Sequence, residues 1–467
     1  MTVSTIKDAA AALRDGTLTS TALTQQILDR AVALNPALGA YVDITSEAAL
    51  EQAGAADAAL AAGDDLGPLQ GIPLAIKDII AMKGAATTAN SRVLAPGWGA
   101  GTDAPVVARL RDAGAVFVGK STTSEFAIGL PDATKGFPVP HNPWNVEHTP
   151  AGSSSGTGIA VSAGLALGGL GTDTGGSVRS PAAVNGHTGL KVTFGRVPKS
   201  GVVPLGFSLD SIGPMARSAW DCAALLEVMA GYDPSDPNAA QQPVPAYTEL
   251  LDGSVDGLRI ALPMPYFFDH EQLDPQMHDA VIAAVKQLVG QGAVSTEVEL
   301  AYAAEAKDAN HIILVAEAYA YHRNNLVNRW SDYGVHTRPT LARGAFYTAG
   351  DVAQAERLRR QFSREVAKLF ESHDVIITPT AAVPAERAAE LSPSKRLSVV
   401  SYTGHWNLTG LPAVAVPVGF STSGLPLSMQ IVGKPFAEAT VLKVADALQR
   451  ISDWHLAIPP VEALLAA

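Results

Sequence analysis

The sequence predicts an α/β protein organised on a largely parallel sheet, and two observations carry that prediction. Strand and helix signals alternate between residues 70 and 230, the pattern left by repeated strand and helix units. Hydrophobic residues fill 47% of the 467 positions while aromatics reach only 6%. Ala, Val, Leu and Ile therefore supply the apolar surface, as a buried sheet under helices requires. Length alone suggests about three domains, yet large α/β enzymes hold this much chain in one unit.

Residues 5 to 62 read as three amphipathic helices: Ile6 to Arg14 stopped by Gly16, Thr21 to Leu34 with Ser20 as N-cap, and Glu47 to Ala62. The apolar run GIPLAIKDII, Gly71 to Ile80, suits a buried strand but contains Lys77. Pro105 to Gly114 reads as a helix and Ala115 to Gly119 as a strand, followed by a polar loop to Trp144. A helix of small residues is expected over Ser154 to Leu167, then a strand over Gly168 to Thr172, the turn DTGGS, and a helix over Ala219 to Ala230. The Pro-rich stretch Asp233 to Asp256 is the best candidate boundary. Beyond it a strand at Leu258 to Leu262, a helix at Gln276 to Gln291 and helical material to about Phe370 are expected. The sheet resumes at Val375 to Thr378, Ala413 to Val418 and Leu427 to Val432, and a helix at Ala439 to Ser452 closes the chain.

A formal charge of -12 at pH 7, spread without long like-charge runs, argues against a nucleic-acid partner. The single cysteine, Cys222, excludes an internal disulfide and any multi-thiolate metal site. With no signal peptide in the first residues and no apolar run long enough for a membrane span, a cytoplasmic protein is expected. No metal-ligand spacing emerges among the histidines, and none of the motifs calls for a cofactor.

Several motif matches lose their meaning in context. GAVFVGKS, Gly114 to Ser121, fits a phosphate-binding pattern, but its intervening residues look like a strand rather than a loop around an anion. Asp173-Thr174-Gly175 resembles an aspartic-protease triplet that has no second copy. Gly152 to Gly156 matches a nucleophile elbow without the strand that must precede it. Ser4 to Lys7 and Ser392 to Lys395 match SxxK with no companion motif. Lone histidines such as His187 and His405 read as structural.

The stretch Thr149 to Leu190 stands apart. Two clusters of small hydroxylated and glycine residues, Gly152 to Gly156 and Thr172 to Ser177, flank an apolar segment rich in Ala and Gly. Ser177 ends the DTGGS turn, where two glycines let successive N–H groups face one concavity and stabilise a developing oxyanion. A serine hydroxyl needs a base. Burial would lower the pKa of Lys77 and make it one, with Ser153 passing the proton between them. The competing readings are a Lys77 that snorkels or pairs with Asp78 or Glu125, a GSSSG that is only a flexible connector, and a DTGGS that is an ordinary turn.

At these residues the chain resembles the amidase signature family. GIPLAIKD at 71 to 78 is similar to the family's lysine motif, NPWNVEHTPAGSSSG to its GGSSGG element, and LGTDTGGSVRSPA to its nucleophile turn. The separation of Ser153 from Ser177 also matches. Further likeness covers APVVARLRDAGAVFVGKSTTSEFA, SLDSIGPMARSAWD, VIITPT and LTGLPAVAVPVG, so it extends from about residue 65 to 450. The resemblance implies Ser177 as acylated nucleophile, Ser153 as bridging serine after a cis peptide bond, and Lys77 as general base. It also implies an oxyanion hole from the N–H groups of Thr174, Gly175, Gly176 and Ser177, braced by Asp173 and Arg179. The chain departs from the pattern at Ala151 and Ser155, both small. One domain over 1–467 is implied, with a mixed central sheet between helical layers. Within it fall N-terminal helices at 1–64, a catalytic core at 65–232, a largely helical block at 257–371 and a return to the sheet at 372–467.

The resemblance leaves amide, carbamate, hydrazide and ester hydrolysis open, together with the glutaminase subunit of tRNA-dependent amidotransferases. With no basic face for tRNA, a stand-alone amide hydrolase is the expectation, using no cofactor or metal. Its partners would be a small-molecule amide, no nucleic acid and no membrane, with a homodimer left open. Phe137, Trp144, Trp330, Tyr333, Phe346, Tyr347, Tyr402 and Trp406 fall in less regular segments and are the candidates for an aryl or apolar substrate pocket. A non-catalytic protein that holds an anion in the same nest is the rival from another class.

Overall fold

The computed structural model describes residues 3–392 and 399–465; Lys395 of the second SxxK match lies outside them. Eleven strands among the described residues form one sheet: β1 (Tyr41–Ile44), β2 (Pro73–Lys77), β3 (Val116–Ser121), β4 (Gly168–Asp173), β5 (Thr188–Lys191), β6 (Ser211–Ala216), β7 (Arg259–Pro263), β8 (Val294–Val298), β9 (Val375–Pro379), β10 (Ala413–Phe420) and β11 (Pro426–Gly433). Their order is β1-β3-β2-β4-β6-β5-β10-β11-β9-β7-β8. Central strands β2, β3, β4, β5, β6, β9 and β11 are buried throughout. Helices rich in Ala, Val and Leu close over the sheet, and a continuous apolar core results.

The sheet is mixed within a single domain, as the family resemblance implies. Among the described residues only β2 with β3 and β4, and β7 with β8 and β9, pair in parallel. The largely parallel sheet read from strand and helix alternation is corrected by β5, β6, β10 and β11, which pair antiparallel. Alternation registers a strand only when a helix follows it. β5 (TGLK) and β6 (SIGPMA) carry Gly and Pro in place of a β-branched run and are joined without a regular α-helix between them.

Details of the N-terminal stretch also differ. Strand β1 sits between two of the expected helices and pairs antiparallel with β3. The second helix, Ser20–Leu38, runs through Pro36 and is capped by Thr19, whose hydroxyl accepts the Ala22 N–H. The Ser20 hydroxyl instead donates to the Gly71 carbonyl. GAVFVGKS is strand β3 and its approach, so no loop is there to cradle a phosphate. Among the described residues no helix is long and apolar enough to cross a membrane.

Candidate active site

Strands β2 and β4 pair in parallel with Ile76 opposite Leu170, so both chains leave the sheet at one edge. Loops beyond the carboxyl ends of parallel strands are where open α/β sheets build sites. Lys77 is the last residue of β2 and is fully buried. Its Nζ lies 2.7 Å from Ser153 Oγ and 2.8 Å from Thr172 Oγ1. Asp78 faces Lys120 at 3.7 Å. Glu125 accepts the Ser91 hydroxyl at 2.6 Å and the Gly334 N–H at 2.7 Å. Neither carboxylate is the partner of Lys77. Burial lowers the Lys77 amine to about 7, against the upward pull of Asp173 and Asp210.

Ser153 is held by its backbone. The Gly152–Ser153 peptide is cis, and the Ser153 carbonyl accepts the Thr123 hydroxyl at 2.9 Å and the Ser124 N–H at 3.2 Å. The GSSSG stretch is packed rather than a free connector. A Cβ on Gly156 would stand 2.2 Å from the Ala40 carbonyl oxygen, a spacing only glycine permits. At the two departures from the family pattern, Ala151 adopts φ 54° and the Ser155 hydroxyl donates to the Ala151 carbonyl at 2.6 Å.

The turn after β4 is organised by Asp173 and Arg179, both fully buried. Asp173 accepts the N–H groups of Gly176 at 2.7 Å and Val178 at 3.2 Å. Arg179 Nε and Nη2 donate to the same carboxylate at 3.0 and 2.9 Å. Burial alone would raise the Asp173 pKa; Arg179, Lys191 and Asn407 outweigh it and hold the group below the usual carboxylate range. The carbonyl of Gly175 accepts the Thr403 hydroxyl at 2.6 Å, and that of Thr174 the Asn310 amide at 3.4 Å. The Gly176 N–H is thus committed to Asp173. Among the described residues no acceptor engages the N–H groups of Thr174, Gly175 or Ser177.

Ser153, Ser177 and the 174–176 backbone line one cavity of about 420 Å³. No hydrogen bond joins the Ser177 and Ser153 hydroxyls among the described residues, although the Ser154 N–H donates to the Ser177 carbonyl at 3.2 Å. Such contacts often tighten only when substrate binds. Of the eight aromatic candidates, Tyr402 lines this cavity. Trp406 and Tyr333 belong to the core, Phe346 is 82% exposed, and Phe137 lines a small separate hollow. The walls mix aliphatic side chains, such as Leu130, Leu205 and Leu314, with charged or polar ones, such as Lys307, Asp308 and His311. Sequence reasoning missed Thr172, Asp210 and Arg343. Arg343 lines the cavity, and its buried Nη1 has no hydrogen-bond partner among the described residues. His187 and His405 are fully buried, and burial holds both near 4, so they stay neutral.

A buried amine beside two hydroxyls, facing a cradle of unengaged N–H groups, suits attack on an acyl carbon. Fold and site together define an amidohydrolase, an enzyme acting on carbon–nitrogen bonds. The Amidase family model matches residues 22–442, and the chain belongs to that family, the amidase signature enzymes. The A subunit of the glutamyl-tRNA(Gln) amidotransferase of Roseiflexus sp. (strain RS-1) is 41% identical over 98% of this chain and 99% of its own. The corresponding A subunit from Thermotoga maritima has a structure with a TM-score of 0.81 at 31% identity, covering 96% of this chain and 94% of that one. The peptide amidase of Stenotrophomonas maltophilia superposes with a TM-score of 0.84 at 31% identity, covering 96% of each chain.

These relatives correct the expectation of a stand-alone hydrolase whose partners are a small molecule and, at most, a second copy. Near full-length likeness runs to subunits of a multi-chain amidotransferase. The acidic charge that argued against RNA limits only what this chain touches itself; one subunit can leave RNA to another chain.

Proposed function

We propose that the chain is the glutaminase subunit of a tRNA-dependent amidotransferase, releasing ammonia from glutamine for a partner subunit to use. The observation that carries this reading is the near full-length likeness to amidotransferase A subunits in a chain whose Ser153 and 174–177 turn line one cavity, with Lys77 bonded to Ser153.

Ser177 Oγ attacks the amide carbon as its proton moves to Ser153 and the Ser153 proton to neutral Lys77. The tetrahedral oxyanion rests on the unengaged N–H groups of Thr174, Gly175 and Ser177. The carbon–nitrogen bond then breaks, the proton returns through Ser153 to the leaving nitrogen, and ammonia departs. Water enters by the same relay and hydrolyses the Ser177 ester to glutamate. Arg343 supplies a guanidinium N–H for the α-carboxylate of glutamine. Asp173 and Arg179 hold the turn. The single buried Cys222 suits a reducing, cytoplasmic setting.

Co-expression with candidate partner subunits, followed by affinity purification and an assay of glutamine-dependent ammonia release, tests the reading. A complex that releases ammonia from glutamine, with a fluorophosphonate probe labelling Ser177, is the expected result. A chain that purifies alone and leaves glutamine intact under every condition, with or without partners, overturns it.

A further inference from the structure

We propose that Asp210 is a positioning residue for acylation at Ser177, fixing the first peptide of the oxyanion cradle through the Thr174 side chain. The proposal rests on the glutaminase site described above. Strands β4 and β6 pair antiparallel with Asp173 opposite Ser211, which brings Asp210, one residue before β6, level with Thr174, one residue after β4. Asp210 Oδ1 accepts the Thr174 hydroxyl at 2.5 Å and the Gly206 N–H at 3.1 Å. Its Oδ2 accepts the N–H groups of Leu205 at 3.0 Å and Gly206 at 3.2 Å. One buried carboxylate therefore ties together the edge of β6, the loop that carries the cavity residue Leu205, and the start of the cradle.

Thr174 is held at two points: Asp210 accepts its hydroxyl and Asn310 donates to its carbonyl. Its methyl group leaves no room for a side chain at Gly206, where a Cβ would stand 3.0 Å away. With side chain and carbonyl both fixed, the Gly175 N–H has one direction left to point. A cradle aimed before substrate arrives needs no reorganisation when charge develops, which is the condition for strong oxyanion stabilisation. The charge of Asp210 adds a second effect, since after Asp173 it is the next carboxylate that raises the Lys77 amine. Burial raises Asp210 itself, countered by Thr174, the two loop N–H groups and Lys199; Glu317 faces it from the helix Ala303–Asn328.

A carboxylate serving only to hold the 205–206 loop would make Thr174 dispensable, and that separates the two roles. The test measures kcat and KM for amide hydrolysis, and the pH dependence of Ser177 labelling by a fluorophosphonate, in wild type, Thr174→Val, Thr174→Ser and Asp210→Asn. Thr174→Val is expected to lower kcat roughly 10- to 100-fold with KM little changed, and Thr174→Ser, which keeps the hydroxyl, to restore it. Asp210→Asn is expected to lower kcat as well and to move the acidic limb of labelling to lower pH. A Thr174→Val variant with wild-type kcat overturns the proposal, even if Asp210→Asn fails to fold. So does a labelled, folded Asp210→Asn that keeps the wild-type kcat. A wild-type chain that the probe does not label overturns the assignment of the site, and this proposal with it.

Discussion

The Lys77 amine lies 2.7 Å from the Ser153 hydroxyl, and among the described residues its hydrogen-bond partners are hydroxyls rather than carboxylates. An amine in that setting is neutral at modest pH because burial lowers it to about 7. Only the neutral form accepts a proton. The rate of acylation should therefore climb as pH rises through about 7 and fall about tenfold per pH unit below it. Lys77→Met, similar in length and apolar, should retain the fold by circular dichroism while lowering kcat/KM by roughly 10³-fold or more. A pH profile of amide hydrolysis checks both; an acidic limb near the usual carboxylate range would assign the base elsewhere.

Arg179 engages all five of its N–H donors inside the protein. They reach Asp173 twice, the Thr403 carbonyl, Gln430 Oε1 and Asn407 Oδ1. Replacing it with Met removes the ion-pair partner of the buried Asp173 carboxylate, at a cost of about 3–5 kcal/mol. Arg179→Lys should recover little, because an ammonium cannot reproduce the planar fork. Urea unfolding of the two variants measures the loss, and a change below about 1 kcal/mol in Arg179→Met would show that water replaces the contacts.

Much of this architecture was legible in the chain, and the limits have physical causes. Lys77 announced itself as a charge inside an apolar run, and the cluster 172–177 as backbone with too few bulky side chains. Both signals are local. Thr172 was legible only as the first residue of that cluster; its contact with Lys77 appears only when β2 and β4 align. Asp210 and Arg343 lie far along the chain from the 172–177 turn, so only tertiary structure joins Asp210 to Thr174 and Arg343 to the cavity. The aromatic candidates failed for a related reason: Trp406, on the short helix Gly404–Leu408, and Tyr333 both fold into the core. The family resemblance implied the mixed sheet, whereas strand and helix alternation alone missed it because β5 and β6 lack the β-branched runs by which strands are read.

Arg343 places an unpartnered Nη1 in the cavity wall. A charge-assisted hydrogen bond contributes about 1.5–3 kcal/mol. Arg343→Gln should thus raise KM for glutamine roughly 10- to 100-fold with a smaller change in kcat, the pattern of a lost ground-state contact. An uncharged amide lacking the α-carboxylate should be hydrolysed equally by both proteins. Comparing the two substrates checks the assignment; equal loss on both would mean that Arg343 shapes the cavity without reading charge.

Ala151 stands where the family pattern has glycine, and it adopts φ 54°, a left-handed conformation costing an L-residue roughly 1–2 kcal/mol. Two terms oppose that strain. Glycine would lose about 0.5–1 kcal/mol in backbone entropy on folding, and the alanine methyl packs beside Val184, Ala385 and Leu425, where a buried methylene equivalent is worth at most about 0.8 kcal/mol. The balance is near zero, which accounts for alanine at this position. Ala151→Gly should therefore leave unfolding free energy within about 0.5 kcal/mol of wild type. Ala151→Val should differ sharply, since a β-branched side chain is a genuine outlier at positive φ, and about 2 kcal/mol or more should be lost. Thermal unfolding of the pair tests the bookkeeping: if valine is tolerated as well as glycine, the backbone at 151 relaxes away from the left-handed region and the alanine methyl is not what holds it there.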